Sequence, residues 1–94
     1  MAATVEVIKA LKDAIMASDH RGDWEPGARF GSKSWRIQTP GDEWVYVWAQ
    51  GTKLVKAGHY YYVRVGQSGQ AAAFGDAAKA VAQAELIAGK VPVA

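Results

Sequence analysis

The 94-residue sequence has no cysteine, only two histidines and no long apolar run. Without cysteine the chain cannot form a disulfide framework, a thiolate zinc site, an iron–sulfur cluster or a cysteine nucleophile. No segment approaches the roughly 18 apolar residues that a membrane-spanning helix requires. Charged residues throughout positions 1–18 also interrupt the apolar segment that a secretory signal needs. We therefore expect a cytoplasmic protein with no membrane partner.

Length and composition favour one small domain over residues 1–94. A chain of this size is long enough to form a single hydrophobic core. Eighteen residues are alanine and ten are aromatic. Seven of the aromatic residues lie between positions 35 and 62, whereas ten of the alanines follow position 70. The sequence thus divides into a bulky middle part and a C-terminal part of small side chains.

Two helices are predicted at the ends of the chain. Residues 4–18 place apolar side chains at spacings of three and four, which puts them on one helical face: Val5, Ile8, Leu11 and Ile15. Asp76 as N-cap and Gly89 after the last turn predict a second helix over residues 76–88, followed by a tail at 89–94. The apolar stripe of this second helix consists mostly of small side chains that project little from the helix: Ala77, Ala80, Val81, Ala84, Ile87 and Ala88. It suits close packing against a bulky sheet.

Residues 19–34 are predicted to form a long loop. The segment contains three glycines and one proline and has no apolar periodicity. Loops of this length are uncommon in small domains unless they are functional or mobile. Trp24 and Phe30 would gain free energy by packing against the body of the protein. We therefore expect an ordered loop that these two aromatic residues hold in place.

The sheet is predicted over residues 35–74, where the apolar pattern changes to a period of two. Strands are expected at 35–38, 44–48 and 60–65, with shorter strands at 53–56 and 70–74. Pro40 and Gly41 suit the two central positions of a type II turn. Short turns between successive strands favour an antiparallel meander. The predicted fold is α+β, in the order α-β-β-β(-β-β)-α, with three to five strands flanked by N- and C-terminal helices.

The period of two gives this sheet one aliphatic and one aromatic face. The aromatic face also carries basic residues and is made of Arg36, Trp44, Tyr46, Trp48, Tyr60, Tyr62 and Arg64. Two arrangements remain open at this point. Both helices could lie on the aliphatic face, which leaves the aromatic face open as a binding surface. Alternatively, the aromatic residues are core and pack beneath the alanine-rich helix.

Catalytic and metal sites find little support in the sequence. His20 and His59 lie in polar loop and turn segments, and neither belongs to a recognisable catalytic or metal-ligand pattern. The Gly66-Gln67-Ser68-Gly69 turn lacks the lysine and helix start of a phosphate-binding loop. We therefore predict no enzyme activity, no catalytic residues, no metal and no cofactor.

Two nucleic-acid-binding families share features of this pattern. The α-β-β-β-α order resembles that of double-stranded RNA-binding domains. The C-terminal segment YYYVRVGQSGQAAAFGDAAKAVAQAE is similar to the three-stranded, helix-backed unit of AP2-type DNA-binding domains. The last helix of the RNA-binding family opens with a cluster of lysines, whereas Gly75-Asp76-Ala77-Ala78-Lys79 contains one. Because this main phosphate contact is missing, the chain is not assigned to that family.

These observations lead to three functional hypotheses. The first is a non-enzymatic interaction protein that contacts a protein partner through the aromatic sheet face and the 19–34 loop. By analogy of design alone, such chains include phage-type inhibitors and accessory factors of larger complexes. The second is weak nucleic-acid binding by aromatic stacking and arginine, since residues 32–66 hold five basic and two acidic residues. The third is a homo-oligomeric structural protein, in which the uncovered face forms a homodimer.

Overall fold

Two α-helices, one short 3-10 helix (Arg21–Asp23) and five strands make up the part of the chain that the computed structural model describes, which is residues 5–27, 34–49, 61–66 and 70–90. Their bounds are α1 (Val5–Met16), β1 (Trp24–Gly27), β2 (Ser34–Gln38), β3 (Trp44–Ala49), β4 (Tyr61–Val65), β5 (Ala72–Phe74) and α2 (Ala77–Ile87). The strands form one antiparallel sheet in the order β1-β2-β3-β4-β5. The predicted α+β fold, with a helix at each end of an antiparallel meander, is confirmed.

The prediction of a loop throughout residues 19–34 is wrong, because β1 lies inside it. Trp24 pairs with Ile37 of β2, and Glu25 pairs with Arg36. The strand has only four residues and includes Pro26, which removes a backbone donor. Proline is tolerated on an edge strand, since one side of that strand needs no hydrogen-bond partner. A short proline-containing edge strand therefore leaves almost no periodic signal in the sequence.

The turn between β2 and β3 also differs from the prediction. A type II turn requires positive φ at Gly41, but the left-handed residue is Asp42, with a φ of 63°. The Asp42 amide donates to the Thr39 carbonyl at 3.1 Å, and the Thr39 amide donates to the Glu43 carbonyl at 2.8 Å. Aspartate tolerates the left-handed region because its short side chain hydrogen-bonds locally. The strand predicted at 53–56 lies outside the described residues.

Both described helices pack on the aliphatic face of the sheet. α1 contacts β3, α2 contacts β3, β4 and β5, and the two helices contact each other. Buried residues from every layer form the core beneath them, among them Leu11, Ile15, Ile37, Val45, Val47, Val63, Ala80 and Ala84. Alanine methyl groups let α2 lie close to the sheet, as the small side chains on its apolar face predict. Within the part of the chain that the structure describes, the helices therefore cover one side of the sheet.

The ends of α2 behave as its sequence predicts, but one residue of its stripe does not. The Asp76 carboxylate accepts a hydrogen bond from the Ala78 amide at 3.1 Å, and Gly89 takes a φ of 74° after the last turn. Ile87 is 39% exposed, whereas Glu85 is 5% exposed. Glu85 follows Val81 by four residues and precedes Ala88 by three, so it lies on the buried stripe. A carboxylate thus occupies a position where an apolar side chain was expected.

Enlarging the buried stripe of α2 should destabilise the protein. Ala84 has no exposed surface, so a leucine there would push the helix away from the sheet. We expect Ala84→Leu to lower the free energy of unfolding by about 1–3 kcal/mol, measured by urea denaturation with circular dichroism. Ala82, which is exposed on the same helix, provides the matched control. Ala82→Leu should stay within about 0.5 kcal/mol of wild type, and equal losses in both variants would contradict close packing of α2.

Candidate interaction surface

The sheet face opposite the helices carries the aromatic and basic residues that the sequence places there. Cross-strand register puts Tyr46 of β3 between Arg36 of β2 and Arg64 of β4. The same register sets Trp48 beside Tyr62. We call this surface the aromatic–arginine face, consisting of Arg36, Trp44, Tyr46, Trp48, Tyr62 and Arg64. It brings together six of the seven residues predicted for the sheet surface; Tyr60 lies outside the described residues.

Arg36 is held at the centre of a cluster on this face. Its guanidinium carbon lies 3.9 Å from the centroid of the Trp44 ring, which is a close cation–π contact. Its Nε donates to Glu25 Oε1 at 2.7 Å, and Nη2 forms an ion pair with the same oxygen. The hydrogen bond to Glu25 raises the pKa of Arg36 above its ordinary value, and Tyr46 adds a smaller contribution. The guanidinium is therefore a charged group with a fixed orientation.

The two central aromatic residues of the face are more buried than an open surface would allow. Tyr46 is 4% and Trp48 is 6% exposed. The Trp48 and Tyr62 rings stack with centroids 5.6 Å apart and planes inclined by 18°. A Cβ atom added at Gly27 would lie 3.7 Å from Tyr46 Cδ1, so the tyrosine ring packs across the glycine. The aromatic side chains thus form a second, smaller packed layer.

Neither arrangement considered from the sequence is fully correct. Both described helices lie on the aliphatic face, so the aromatic residues are not packed beneath α2. The face is nevertheless not an open aromatic surface, because Tyr46 and Trp48 are buried. Its partly exposed groups are the half-buried Arg36, Trp44, Tyr62 and Arg64. Tyr46 packs across Gly27 and Trp48 stacks on Tyr62, so each buried ring contacts a neighbouring strand.

Trp24, one of the two loop residues predicted to take part in binding, does not lie on the aromatic–arginine face. Trp24 is 8% exposed and belongs to the core on the helical side of the sheet. Its indole Nε1 donates to Glu85 Oε2 at 2.9 Å. Trp24 does pack against the body of the protein, as expected, but it stabilises the helical layer. Phe30 lies outside the described residues.

The helical layer contains a polar cluster that sequence reasoning missed. Glu85 Oε2 accepts hydrogen bonds from Ser18 Oγ and from Trp24 Nε1. Ser18 and Glu85 line a groove of about 460 Å³ between the end of α1 and α2. The signal available in the sequence was the charged residue on the apolar stripe of α2. Its partners are 61 and 67 positions away, so no local pattern identifies them.

A second cleft lies at the start of α2. It has a volume of about 600 Å³ and is lined by residues that include Tyr61, Asp13 and Asp76. The Tyr61 hydroxyl donates to the Val7 carbonyl at 3.2 Å, and burial, with a smaller effect of Asp76, raises its pKa. Since the Asp76 carboxylate already caps α2, the groups of this cleft serve the fold.

Within the described ranges, no three histidine, aspartate or glutamate side chains lie close enough together to hold a metal ion. Over the same residues, neither helix is long and apolar enough to cross a membrane.

Comparison with models of protein families, with characterised proteins and with solved structures found no match for the chain.

Proposed function

We propose that the protein is a non-enzymatic interaction domain that binds a protein partner through the aromatic–arginine face. The observation that supports this most directly is the placement of both described helices on the other side of the sheet. The remaining face presents tryptophan, tyrosine and arginine, which are the residues that dominate binding energy at protein interfaces. Trp44 and Tyr62 are half-buried, so each has a surface left for a partner to cover.

The fixed geometry of the face favours protein binding. Arg36 is already oriented by Glu25 and by the Trp44 ring, so its side chain loses little freedom when a partner binds. Rigid aromatic and paired arginine side chains lower the entropic cost of association. A partner with apolar groups opposite Trp44 and Tyr62 fits this surface.

The same contacts make nucleic acid the weaker candidate. Binding of single-stranded nucleic acid uses aromatic rings whose flat faces are free to stack on bases. The Trp48 and Tyr62 rings stack on each other, and the Arg36 guanidinium covers one face of Trp44. The Glu25 carboxylate beside Arg36 would also repel a phosphate.

Site-specific photo-crosslinking tests the proposal in cells. Benzoylphenylalanine replaces Trp44 in one variant and Met16 in the control, because Met16 is a 59% exposed apolar residue of α1. We expect position 44, but not position 16, to crosslink to a protein that mass spectrometry can identify. With that partner purified, Trp44→Ala and Tyr62→Ala should each weaken binding about thirtyfold, as expected for the truncation of central interface residues.

The other outcomes distinguish the rival functions. A crosslink to a second copy of the chain would favour the homo-oligomer. Salt-dependent binding of a fluorescent oligonucleotide, lost in the Arg36→Ala variant, would favour nucleic acid. Equal crosslinking at positions 44 and 16 would contradict the assignment of the partner surface to this face.

A further inference from the structure

The five described strands carry only three charged residues, and all three project from the same side of the sheet. They are Glu25 of β1, Arg36 of β2 and Arg64 of β4. Glu25 pairs with Arg36 across β1 and β2. Tyr46 of β3 lies opposite both arginines. Because residues directly opposite each other in antiparallel strands share a face, these four side chains form one row, in which Glu25 adjoins the aromatic–arginine face.

Glu25 already uses two of the donors of the Arg36 guanidinium. Nε donates to Glu25 Oε1 at 2.7 Å, and Nη2 forms an ion pair with the same oxygen. The Trp44 ring lies over the guanidinium plane at 3.9 Å. The pair remains accessible to solvent, since the Arg36 side chain is 33% exposed and that of Glu25 is 47% exposed. An anion from solution can therefore reach Arg36, but it meets a carboxylate that is bound there.

We propose that Glu25 determines the charge specificity of the aromatic–arginine face by withholding Arg36 from phosphates and other anions. An incoming phosphate must displace a carboxylate that the neighbouring strand holds at high effective concentration. The same carboxylate repels the phosphate. A partner without acidic groups leaves the ion pair intact and meets neither cost. Given the proposed function, on which this step rests, the partner segment opposite Arg36 is apolar and uncharged.

Removing the charge of Glu25 should make this side of the sheet attract polyanions. Without it, the row would hold two arginines and no acid, in a chain whose net charge is +2. The gain is electrostatic, because the Trp48 and Tyr62 rings stack on each other and do not depend on Glu25. We therefore expect one added phosphate contact, made by Arg36, and no added stacking on bases.

Polyanion binding by the Glu25→Gln variant tests this specificity. The probe is a fluorescein-labelled oligothymidylate, longer than the roughly 4–16 nucleotides that a single-strand site spans, and fluorescence anisotropy is measured over a series of salt concentrations. Wild type should bind the probe weakly. Glu25→Gln should bind it about tenfold more tightly at low salt. The slope of log K against log salt should steepen by about 0.7, the value for one added phosphate contact on a single strand.

Asp13→Asn is the matched control. Asp13 is likewise an exposed carboxylate in an ion pair, with Lys9 at 2.8 Å, but it lies on α1 in the helical layer. Its substitution changes the net charge by the same amount and should leave binding within about twofold of wild type. The double variant Glu25→Gln/Arg36→Ala has the net charge of wild type and should return to the wild-type affinity and slope. Circular dichroism checks that each variant is folded.

Three results would overturn the proposal. Unchanged binding in Glu25→Gln would show that the carboxylate does not exclude the anion. Equal gains in Glu25→Gln and Asp13→Asn would show an effect of net charge alone. A gain that persists in the double variant would place the phosphate contact away from Arg36. Each is distinguishable from failure of the proposed function, because crosslinking at position 44 tests separately whether a protein partner binds the face.

Discussion

Replacing Trp48 by alanine is expected to lower the free energy of unfolding by about 3–5 kcal/mol, the range measured for large aromatic residues in cores. Trp48 is only 6% exposed and stacks on Tyr62. Removing the indole would leave a cavity beside that ring and lose the stacking contact, since β3 is the central strand and cannot easily move into the space. Urea denaturation followed by circular dichroism measures the change. A loss of this size is a large fraction of the stability of a small domain.

Trp44→Ala is the matched control for this prediction. It removes the same side chain from the other end of β3, where Trp44 is half-buried and contacts Arg36. We expect a loss of about 1 kcal/mol, from partial burial and one cation–π contact. If Trp48→Ala and Trp44→Ala cost the same, Trp48 is not part of a packed layer on the aromatic–arginine face.

Replacing Glu85 by alanine should produce the second largest loss, about 2–4 kcal/mol. The substitution leaves the buried Trp24 indole N–H without an acceptor and removes the partner of Ser18. An unsatisfied buried donor costs about 1–3 kcal/mol, and hydrogen bonds to charged groups contribute more than neutral ones. The missing methylene groups add to the loss.

A double-mutant cycle isolates the Glu85–Trp24 interaction. Trp24→Phe keeps a ring in the core and removes the N–H donor. In that background Glu85→Ala should cost about 1–2 kcal/mol less than in wild type, since no donor is left unpaired. Additive losses from the two substitutions would show that the hydrogen bond does not couple β1 to α2.

The parts of the fold with a strong local pattern were predictable from the sequence. The spacing of Leu11 and Ile15 places α1 on the core, and Asp76 and Gly89 mark the ends of α2. Alternation along β3 and β4 assigns the aliphatic and aromatic faces correctly, because successive side chains of a strand point to opposite sides. These features depend on residues a few positions apart.

Features that depend on distant residues were not predictable. β1 exists because it pairs with β2, and its own four residues favour a loop. The burial of Tyr46 and Trp48 arises from neighbours on other strands, so the period of two identifies their face but not their exposure. The Glu85 cluster joins residues more than 60 positions apart. A single sequence contains no local signal for such a contact.

The strand order has a consequence for how the chain reaches its folded state. Each strand pairs with its neighbour in sequence, so the sheet can grow by successive hairpins that close short loops. The contacts of greatest sequence separation are those between α1 and α2 and those of Glu85 with Ser18 and Trp24. Contacts between distant residues close the longest loops and slow folding. We therefore expect the packing of α1 against α2 to be the slowest step, and these two helices to be the last elements to pack together as the core forms.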